Sequence, residues 1–440
     1  MQPVETSRRR FASLFNAGEN ARHLIHRPQH QEPVVDGVRA IAVLWVVMLH
    51  MFWFQSWLFP EQIHAIFAFP ASGWLATGAL GVDLFFVISG FLIGSILFGE
   101  FRKTGGIIFT RFYVRRFLRL IPVYVMVMLM GLYFLDGHNV EHAWANLLYI
   151  NNFLPIKEQY MGWCWSLAIE EQFYLIFPAF IMLFMGLGKG RLRILVALMG
   201  LSLVIRFSVI HAMGITPPFR ITPDDPHFYP FFDNIYDKPW TRFGGLLAGA
   251  TGAFLSTFHA ERIKRFFSHT WRVTGIALLC LAVMAHVACT PFTSAMFSHM
   301  PPLARELWLT LYRDVFSLAT IFLILAAIHT PRLFGGGLRR FLSWKGFYPV
   351  AQVSYSLYMI HEMIFNWLFP SLMPILQPRI GIPATIAVNA VIGVLISFAL
   401  ACLLYTFIER PCMRMRSHPP VLRMTERLRF KKAGPVSQKA

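Results

Sequence analysis

The sequence predicts an all-α integral membrane protein with about ten transmembrane helices and both termini in the cytoplasm. Hydrophobic residues make up 56% of the 440 residues and charged residues only 14%, whereas a soluble domain usually has about 25% charged residues. The apolar residues occur in blocks of about twenty, the length that crosses a bilayer as a helix. Lys and Arg cluster in alternate connecting segments, as expected for cytoplasmic loops.

Ten apolar blocks are candidate spans, and the positive charge orients them. We predict spans at about 37–57, 78–98, 117–135, 165–185, 193–211, 240–258, 273–290, 307–328, 347–369 and 384–408. With the N-terminus in the cytoplasm, 31 of the 40 Lys and Arg residues fall in inner segments and 5 in outer segments. This asymmetry predicts that both termini are cytoplasmic.

The predicted organisation is one transmembrane domain between two basic segments. Residues 1–35 form a basic N-terminal segment, residues 36–411 the transmembrane domain and residues 412–440 a basic tail. No cleavable signal peptide is expected, because residues 1–35 contain no apolar core. The longest outer segment, about 212–239, is rich in Pro and Asp and is predicted to form ordered turns rather than helix.

Composition also limits the possible partners. The formal net charge of +18 would suit nucleic acid, but its distribution between alternate loops favours a lipid bilayer instead. The basic tail is interpreted as an anchor at the membrane surface. The five cysteines have neither metal nor redox spacing, so neither a disulfide framework nor a metal site is predicted.

The first span carries two ionisable residues, Arg39 and His50, eleven positions apart. A helix turns about 100° and rises about 1.5 Å per residue, so eleven residues make three turns, about 16.5 Å, with about 20° of drift. Arg39 and His50 therefore lie on one face, at different depths. Ionisable groups at membrane depth are costly and commonly mark function.

The remaining polar residues of the spans fall into two layers. The inner layer contains Arg39, Arg115, Arg116 and Arg119; the outer layer contains His50, Asp83, Glu170, Glu171, Arg242, Arg313, Asp314, His361 and Glu362. The inner layer suits an anion with several phosphates. The outer layer suits proton transfer on a neutral polar acceptor. An acyl donor with a phosphorylated head and a long thin arm could extend from Arg39 to His50.

Structural alternatives stand beside these interpretations. The arginines of the inner layer could be membrane anchors, and His50 could be a helix-packing residue. Asp83 could pair with an arginine, and Glu170 could stabilise a helix N-terminus. We interpret the following as structural: the local Arg313–Asp314 arrangement, Arg206, His211 and His286.

Several motifs occur in a defined order along the chain. They are Asp36, Gly37, Arg39 and His50; the run Gly81–Phe91; Tyr113, Arg115, Arg116, Arg119 and Pro122; the run Trp165–Tyr174; Arg242; the run Ser354–His361; and Glu409, Arg410 and Pro411. In this set the chain resembles the membrane-bound acyltransferase-3 family, integral-membrane O-acyltransferases that modify cell-surface glycans and related acceptors. The resemblance covers about residues 33–411.

The resemblance implies transfer of an acyl group, usually acetyl, across the inner (cytoplasmic) membrane. The donor would be cytoplasmic acetyl-CoA and the acceptor a hydroxyl of an extracytoplasmic saccharide, with no metal cofactor. His50 would be the essential catalytic residue and Arg39 its partner or a donor-binding group. The arginines before Pro122, at positions 115, 116 and 119, would also bind the donor.

Further site residues follow from the matched motifs. Asp83 and Glu170 would be catalytic residues that orient the imidazole or the acceptor, and the expected substrate-binding residues are Tyr174, Arg242, Tyr355 and His361. The acceptor stays open among surface polysaccharide, lipopolysaccharide, peptidoglycan and a small secreted glycoside. No hydrolase-like domain is expected after the last span, so a separate periplasmic transferring partner would be another chain.

Two mechanisms and two other classes of protein remain as alternatives. His50 could deprotonate the acceptor hydroxyl or carry the acyl group on its ring. A proton-coupled transporter or flippase would line its path with similar charges, but the sequence has neither repeated halves nor a pair of interrupted spans. A purely structural membrane scaffold would leave the outer polar layer unexplained.

Overall fold

The structure is a computed structural model, and it describes residues 13–28, 32–69, 72–135, 137–188, 190–419, 421–422 and 430–431. The helices in chain order are α1 (Ala17–Ile25), α2 (Pro33–Leu58), α3 (Pro60–Ala68), α4 (Gly73–Ala76), α5 (Leu80–Thr104), α6 (Phe109–Phe134), α7 (Ala143–Leu147), α8 (Trp165–Gly186), α9 (Arg191–Met213), α10 (Phe228–Phe231), α11 (Pro239–Arg242), α12 (Gly244–Phe258), α13 (Ala260–Ser268), α14 (Thr270–Ala288), α15 (Pro302–His329), α16 (Leu333–Leu342), α17 (Phe347–Leu404) and α18 (Arg410–Met415).

Short 3₁₀ and π segments and one strand pair complete the described secondary structure. The 3₁₀ segments are Val140–His142, Asn151–Phe153, Ile156–Glu158, Gly162–Cys164 and Ala295–His299, and the π segments are Phe232–Tyr236 and Tyr405–Glu409. Strand β1 (Gly106–Ile107) pairs antiparallel with β2 (Phe430–Lys431). The prediction of an all-α protein is confirmed.

Among the residues that the structure describes, eight helical segments are long and apolar enough to cross a membrane, which confirms a multi-pass membrane protein. They include α2, α5, α6, α8, α9, α14, α15 and the segment Phe347–Met415. Helix α12 is apolar but has only 15 residues. Helix α17 has 58 residues and contains the non-helical Gly381. It covers the predicted span 347–369 and most of the span 384–408, whose last residues lie in the π segment Tyr405–Glu409. The count of ten spans and the location of the termini stay predictions.

The segment about 212–239 differs in part from the prediction. Its second half is helical, in α10 and the following π segment Phe232–Tyr236. Aromatic packing explains the difference, because the ring of Phe231 lies 5.2 Å from that of Phe219 and 5.4 Å from that of Phe292, which comes from a distant segment of the chain. Tertiary contacts of this kind override the turn preference of nearby prolines.

Helices α5 and α12 pack closely along a stripe of glycines. The Cα of Gly90 on α5 faces the carbonyl of Leu246, and that of Gly249 on α12 faces the carbonyl of Val87. Small residues at such positions let helix backbones approach, and van der Waals packing then holds the helices together within a bilayer. Helix α5 also packs against α2, and α2 against α17. Of these helices, α2, α5 and α17 contribute residues to the site described below.

The close approach gives a direct test with a matched control on the same helix. A Cβ at Gly90 would overlap the Leu246 carbonyl, so Gly90→Ala is expected to cost about 1–3 kcal/mol of stability. Gly99, also on α5, has no atom within 4 Å of an added Cβ. Gly99→Ala is therefore expected to be neutral or slightly stabilising. Thermal unfolding of each purified variant in one detergent measures the difference, and equal midpoints would contradict the packing described here.

Candidate active site

Helix α2 presents Arg39 and His50 to two different cavities. The arginine cavity, about 100 Å³, is lined by Arg39, Val82, Phe85, Ser89, Arg116, Arg119, Ser166, Glu170, Tyr174, Ser354, Tyr355 and Tyr358, with apolar neighbours. The histidine cavity, about 960 Å³, contains His50 in its wall. Arg39 donates from Nη2 to the Ser354 hydroxyl at 3.0 Å. The two residues share one face of one unbroken helix, as their spacing predicts.

The arginine cavity combines cations with tyrosines and one acid. The guanidinium of Arg116 lies 4.9 Å from the centre of the Tyr174 ring. The Tyr174 hydroxyl donates to Glu170 Oε2 at 3.4 Å and also bonds the Ser89 hydroxyl. The Tyr355 hydroxyl donates to the Leu120 carbonyl at 2.9 Å. Cations outnumber acids in this wall, so it can hold an anion.

Two predicted residues lie elsewhere than the two-layer interpretation placed them. Glu170 lines the arginine cavity rather than standing beside His50, because it lies five residues, about 7.5 Å, further along α8 than Trp165 of the histidine cavity. Arg115 lines a separate groove with Lys103 and Arg111. Arg115 and Arg116 diverge because adjacent helical residues point about 100° apart.

Aromatic side chains dominate the histidine cavity. Its lining includes Trp53, Trp57, Trp163, Trp165, Trp308, Phe219, Phe228, Phe232, Phe292, Tyr160, Tyr236 and Tyr312, with His50, His64, His138, Arg220, Arg313 and Glu362 as its ionisable residues. Helices α2, α15 and α17 and the loops around residues 137, 160 and 220 contribute to its wall. The cavity is large enough for a ligand of small-molecule size.

His50 belongs to a chain of hydrogen bonds whose direction can be worked out. His361 Nδ1 lies 2.8 Å from the Tyr358 carbonyl and 3.1 Å from the Leu357 carbonyl. Carbonyls only accept, so this nitrogen carries the proton and Nε2 of a neutral His361 is an acceptor. His50 Nδ1, 2.9 Å away, then donates to it. The remaining nitrogen of a neutral His50, Nε2, is unprotonated.

The unprotonated nitrogen of His50 faces a carboxyl group. Glu362 Oε1 lies 3.1 Å from His50 Nε2, and Glu362 lines the histidine cavity. His361 is fully buried behind His50, and its two ring nitrogens are both engaged. It is placed to position His50, which differs from its expected role in binding substrate. Two acceptors cannot bond each other, so this contact holds one proton, carried either by the Glu362 carboxyl group or by His50. His50 Nε2 can take a proton from another group once Glu362 is ionised and turned from it, and the carboxylate can then stabilise the resulting cation.

The same three side chains are the cluster of potential metal ligands found among the described residues. Ligand atoms of His50, His361 and Glu362 lie within 4.8 Å of one another. His50 turns Nδ1 to His361 and Nε2 to Glu362, and these nitrogens occupy different edges of the ring. One ion cannot replace both contacts, so the geometry fits a hydrogen-bond chain better. The absence of a metal cofactor stays a prediction.

Asp83 lies in an ion-pair network rather than beside His50. Its carboxylate pairs with Arg313 Nη1 and, at 3.4 Å, with Arg242 Nη2. Arg242 is buried and lies 4.9 Å from the centre of the Trp165 ring, outside both cavity linings. Asp83 is therefore placed to anchor helices, which is the structural alternative that its sequence left open.

The Arg313–Asp314 arrangement is not a local pair. Arg313 bonds Asp83 on α5, and Asp314 bonds Arg206 on α9. Arg206 also donates from Nε to the Thr241 carbonyl at 2.9 Å. Adjacent helical residues point in different directions, so each charge reaches a different neighbouring helix. The structural interpretation of Arg206 fits this buried pairing.

Three hydrogen-bonded residues, Tyr358, Ser166 and Trp163, form a barrier between the walls of the two cavities. The Tyr358 hydroxyl lies 2.6 Å from the Ser166 hydroxyl and donates to the Trp163 carbonyl at 2.7 Å. Tyr358 and Ser166 line the arginine cavity, whereas Trp163 lines the histidine cavity. These bonds join the start of α8 to α17. Sequence reasoning assigned no role to Tyr358 or Ser166, although both lie in quoted motifs.

A buried polar cluster holds the loops around the histidine cavity. Lys238 Nζ donates to Asp237 Oδ1 at 2.8 Å and also to the Asn152 carbonyl, and Gln159 Nε2 donates to Asp237 Oδ2 at 3.0 Å. Burial raises the pKa of Asp237 to about 6, against the opposing effect of the Lys238 cation. Near pH 7 the carboxylate is still mostly ionised and can keep these partners.

The family model and the related proteins that match this chain all indicate acyltransferases. A family model described as an acyltransferase domain matches residues 33–406. The peptidoglycan O-acetyltransferase OatA of Listeria monocytogenes is 28% identical over 409 residues, which cover 86% of this chain and 55% of that protein. The O-acetyltransferase OatA of Staphylococcus aureus is 30% identical over 403 residues, which cover 86% of this chain and 57% of that protein. The chain thus spans little more than half the length of these relatives. No solved structure matches it.

The assignment of Asp83 to the ion-pair network can be tested by stability. Asp83→Asn leaves Arg313 and Arg242 buried without their carboxylate, and breaking such a pair costs about 3–5 kcal/mol. Asp224→Asn removes an exposed carboxylate that pairs with Arg220 and should leave thermal unfolding unchanged. A native unfolding midpoint for Asp83→Asn would contradict the anchoring role and return Asp83 to the candidate catalytic residues.

Proposed function

We propose that this chain, which belongs to the acyltransferase family whose model it matches, is an O-acetyltransferase of the inner membrane. It moves an acetyl group from cytoplasmic acetyl-CoA to a hydroxyl of a cell-envelope glycan. The observation that carries the proposal is the pair of cavities joined by α2, with Arg39 in one and His50 in the other. The two residues are about 16.5 Å apart along the helix, so a donor must be long and thin.

The donor's phosphorylated head binds at the arginine side. Arg39, Arg116 and Arg119 line the arginine cavity, and Arg115 lines the neighbouring groove with Lys103 and Arg111. Guanidinium groups bind phosphate oxygens through charge-assisted hydrogen bonds. A cavity of about 100 Å³ is too small for the head, so the phosphates stay near its arginines while the thin arm passes through and carries the thioester towards His50. Acetyl, the shortest acyl group of this kind, suits so small a space.

In the first mechanism His50 acts as a general base. Its Nε2 takes the proton of the acceptor hydroxyl while that oxygen attacks the thioester carbonyl. The carbon–sulfur bond then breaks, and the thiolate leaves with the proton returned by the imidazolium. Glu362, 3.1 Å from Nε2, stabilises the imidazolium, and His361 holds the required tautomer. A positioned base of this kind typically contributes about 10²–10⁴ in rate.

In the second mechanism His50 carries the acetyl group. Nε2 attacks the thioester carbonyl, the carbon–sulfur bond breaks and the thiolate leaves. The acceptor hydroxyl then attacks the acetyl-imidazole, the carbon–Nε2 bond breaks, and the hydroxyl proton passes to the thiolate. Both mechanisms use the same nitrogen, and both require the Tyr358–Ser166–Trp163 barrier to open. Mass spectrometry of protein quenched after incubation with acetyl-CoA alone separates them, because only the second leaves an acetyl group on the chain before an acceptor is added.

The acceptor occupies the histidine cavity. Its tryptophans, tyrosines and phenylalanines offer flat apolar faces against which sugar rings can pack, with polar groups at their edges. The relatives' names, peptidoglycan O-acetyltransferase and O-acetyltransferase, favour a cell-wall glycan over the other acceptors that the sequence left open. A further periplasmic protein that passes the acetyl group on is compatible with this reaction.

A transporter or flippase of a polar substrate is the alternative. Reconstituted vesicles with acetyl-labelled acetyl-CoA outside and glycan fragments inside, or the reverse, separate the two activities. Label on the glycan indicates an acetyltransferase, whereas movement of unlabelled glycan indicates a carrier.

The essential role of His50 is tested by substitution. His50→Ala removes the reacting nitrogen and should lower acetyl transfer by at least about 100-fold, with native expression and unfolding. His286, exposed on α14 away from both cavity linings, provides the control, and His286→Ala should keep native activity. Full activity in His50→Ala would contradict the mechanism.

The donor-binding role of Arg39 predicts a change in KM rather than in kcat. Loss of one charge-assisted hydrogen bond is worth about 1.5–3 kcal/mol, so Arg39→Ala should raise the KM for acetyl-CoA about tenfold or more and leave the KM for the acceptor unchanged. Arg272→Ala, at an exposed position of α14, is the control. An unchanged KM for acetyl-CoA would exclude Arg39 from donor binding.

A further inference from the structure

The buried ion-pair network carries an uncompensated positive charge. It consists of two carboxylates and three guanidiniums: Asp83, Asp314, Arg206, Arg242 and Arg313. Each of these five residues is at most 6% exposed. One buried cation therefore has no carboxylate of its own among the described residues. Such a charge is expensive in apolar surroundings unless an anion lies nearby.

Arg313 is the member of this network that reaches the histidine cavity. It lines the cavity wall together with Tyr236 and Tyr312, whose ring centres lie 5.2 and 4.9 Å from its guanidinium carbon. Its hydrogen bond to Asp83 uses Nη1. A guanidinium has five N–H donors in a planar fork, so Arg313 keeps donors for a ligand in the cavity.

Arg313 also lies at nearly the same depth as His50. The rings of Trp45 on α2 and Phe316 on α15 are in contact, with centres 6.1 Å apart. His50 lies five residues beyond Trp45, and Arg313 lies three residues from Phe316 towards the same end of the antiparallel α15. These steps correspond to about 7.5 and 4.5 Å, so the two groups differ in depth by about 3 Å.

The ionisable lining of the histidine cavity is otherwise short of acids. Glu362 is its one carboxylate among the described residues, and that carboxyl group is engaged with His50. Arg220, at the exposed rim, pairs with Asp224. His64 and His138 complete the set. An anion in the cavity could therefore contact the Arg313 cation. Away from His50 and its partner Glu362, it would meet little electrostatic repulsion.

We infer that the acceptor of the proposed reaction is an anionic saccharide, and that Arg313 binds its carboxylate or phosphate while His50 faces the hydroxyl that is acylated. This inference rests on the proposed function for the identity of the site. The excess charge of the network is thereby neutralised only when the acceptor is bound. Neutral saccharides leave the excess positive charge of the network without an anion, and the cavity discriminates against them.

Binding without any acyl donor tests the inference separately from catalysis. The full chain in detergent is titrated with N-acetylmuramic acid, its methyl ester and N-acetylglucosamine at constant ionic strength, and the fluorescence of the cavity tryptophans reports binding. Glucose 1-phosphate and glucose form a second pair, which distinguishes phosphate from carboxylate. One charge-assisted hydrogen bond corresponds to about a tenfold or larger preference. We expect that preference for at least one anion over its neutral partner.

Two arginine variants locate the contact. Arg313→Gln brings the network to a net charge of zero and leaves Asp83 paired with Arg242, so the chain should fold, and the preference for the anion should fall below twofold. Arg242→Gln removes the same charge but leaves Arg313 at the cavity, and most of the preference should remain. Arg379→Gln, at an exposed position outside the cavity lining, should behave like the native chain.

The comparison on the native chain needs no variant, so a folding defect cannot hide the result. Equal affinity for anionic and neutral probes, or binding of none of them, would overturn the inference. So would a preference that survives in folded Arg313→Gln, or one lost equally in Arg242→Gln. Acetyl transfer to neutral glycans at native rates, together with equal binding, would overturn this inference while leaving the proposed function intact.

Discussion

Pairing of charges within an apolar helix bundle is the constraint on which the rest of this structure depends. An unpaired charge in a low-dielectric interior greatly destabilises the fold, so buried charged side chains are paired with one another. Asp83 forms ion pairs with Arg313 and Arg242, and Asp314 forms one with Arg206. These contacts tie α5, α9, α11 and α15 together at one depth. They provide the rigid wall behind the larger cavity.

Close backbone packing adds the second part of that framework. The glycine contacts of α5 and α12 bring these helices together without side chains between them. Helix α2 then packs against α5 and α17, so its polar face is enclosed instead of facing lipid. Because of this enclosure, the imidazole of His50 and the guanidinium of Arg39 each line a cavity whose other walls come from neighbouring segments.

The site separates its two chemical tasks along one helix. Cations gather around Arg39, where a polyanionic donor can be held, and a directed hydrogen-bond chain surrounds His50, where a proton can be accepted. The carbonyls of Leu357 and Tyr358 set the tautomer of His361, which in turn sets that of His50. The barrier formed by Tyr358, Ser166 and Trp163 consists of the bonds of the Tyr358 hydroxyl to the Ser166 hydroxyl and to the Trp163 carbonyl. One helix, α17, thus supplies the positioning histidine, the carboxyl partner and part of the barrier.

The fold class, the shared helix face of Arg39 and His50 and the family could all be predicted from the sequence. The apolar blocks determined an all-α multi-pass protein because a bilayer demands helices about twenty residues long. The eleven-residue spacing determined that Arg39 and His50 share a face, since helix geometry alone relates them. Ordered motifs indicated the family. Each of these properties depends on residues within one segment.

Contacts between segments were decided only by tertiary packing. The sequence could not tell whether Asp83 or Glu362 would contact His50, because the two carboxyl groups lie on different helices. The packing of α5 and α17 against α2 determines which of them faces His50. The sequence likewise placed Glu170 near His50, whereas the tilt and start of α8 carry that residue to the arginine cavity. The helical turn after Phe228 formed because aromatic rings from distant loops pack around it. The spacing of two residues determines whether they share a face of one helix, but their contacts with other side chains depend on how several helices pack.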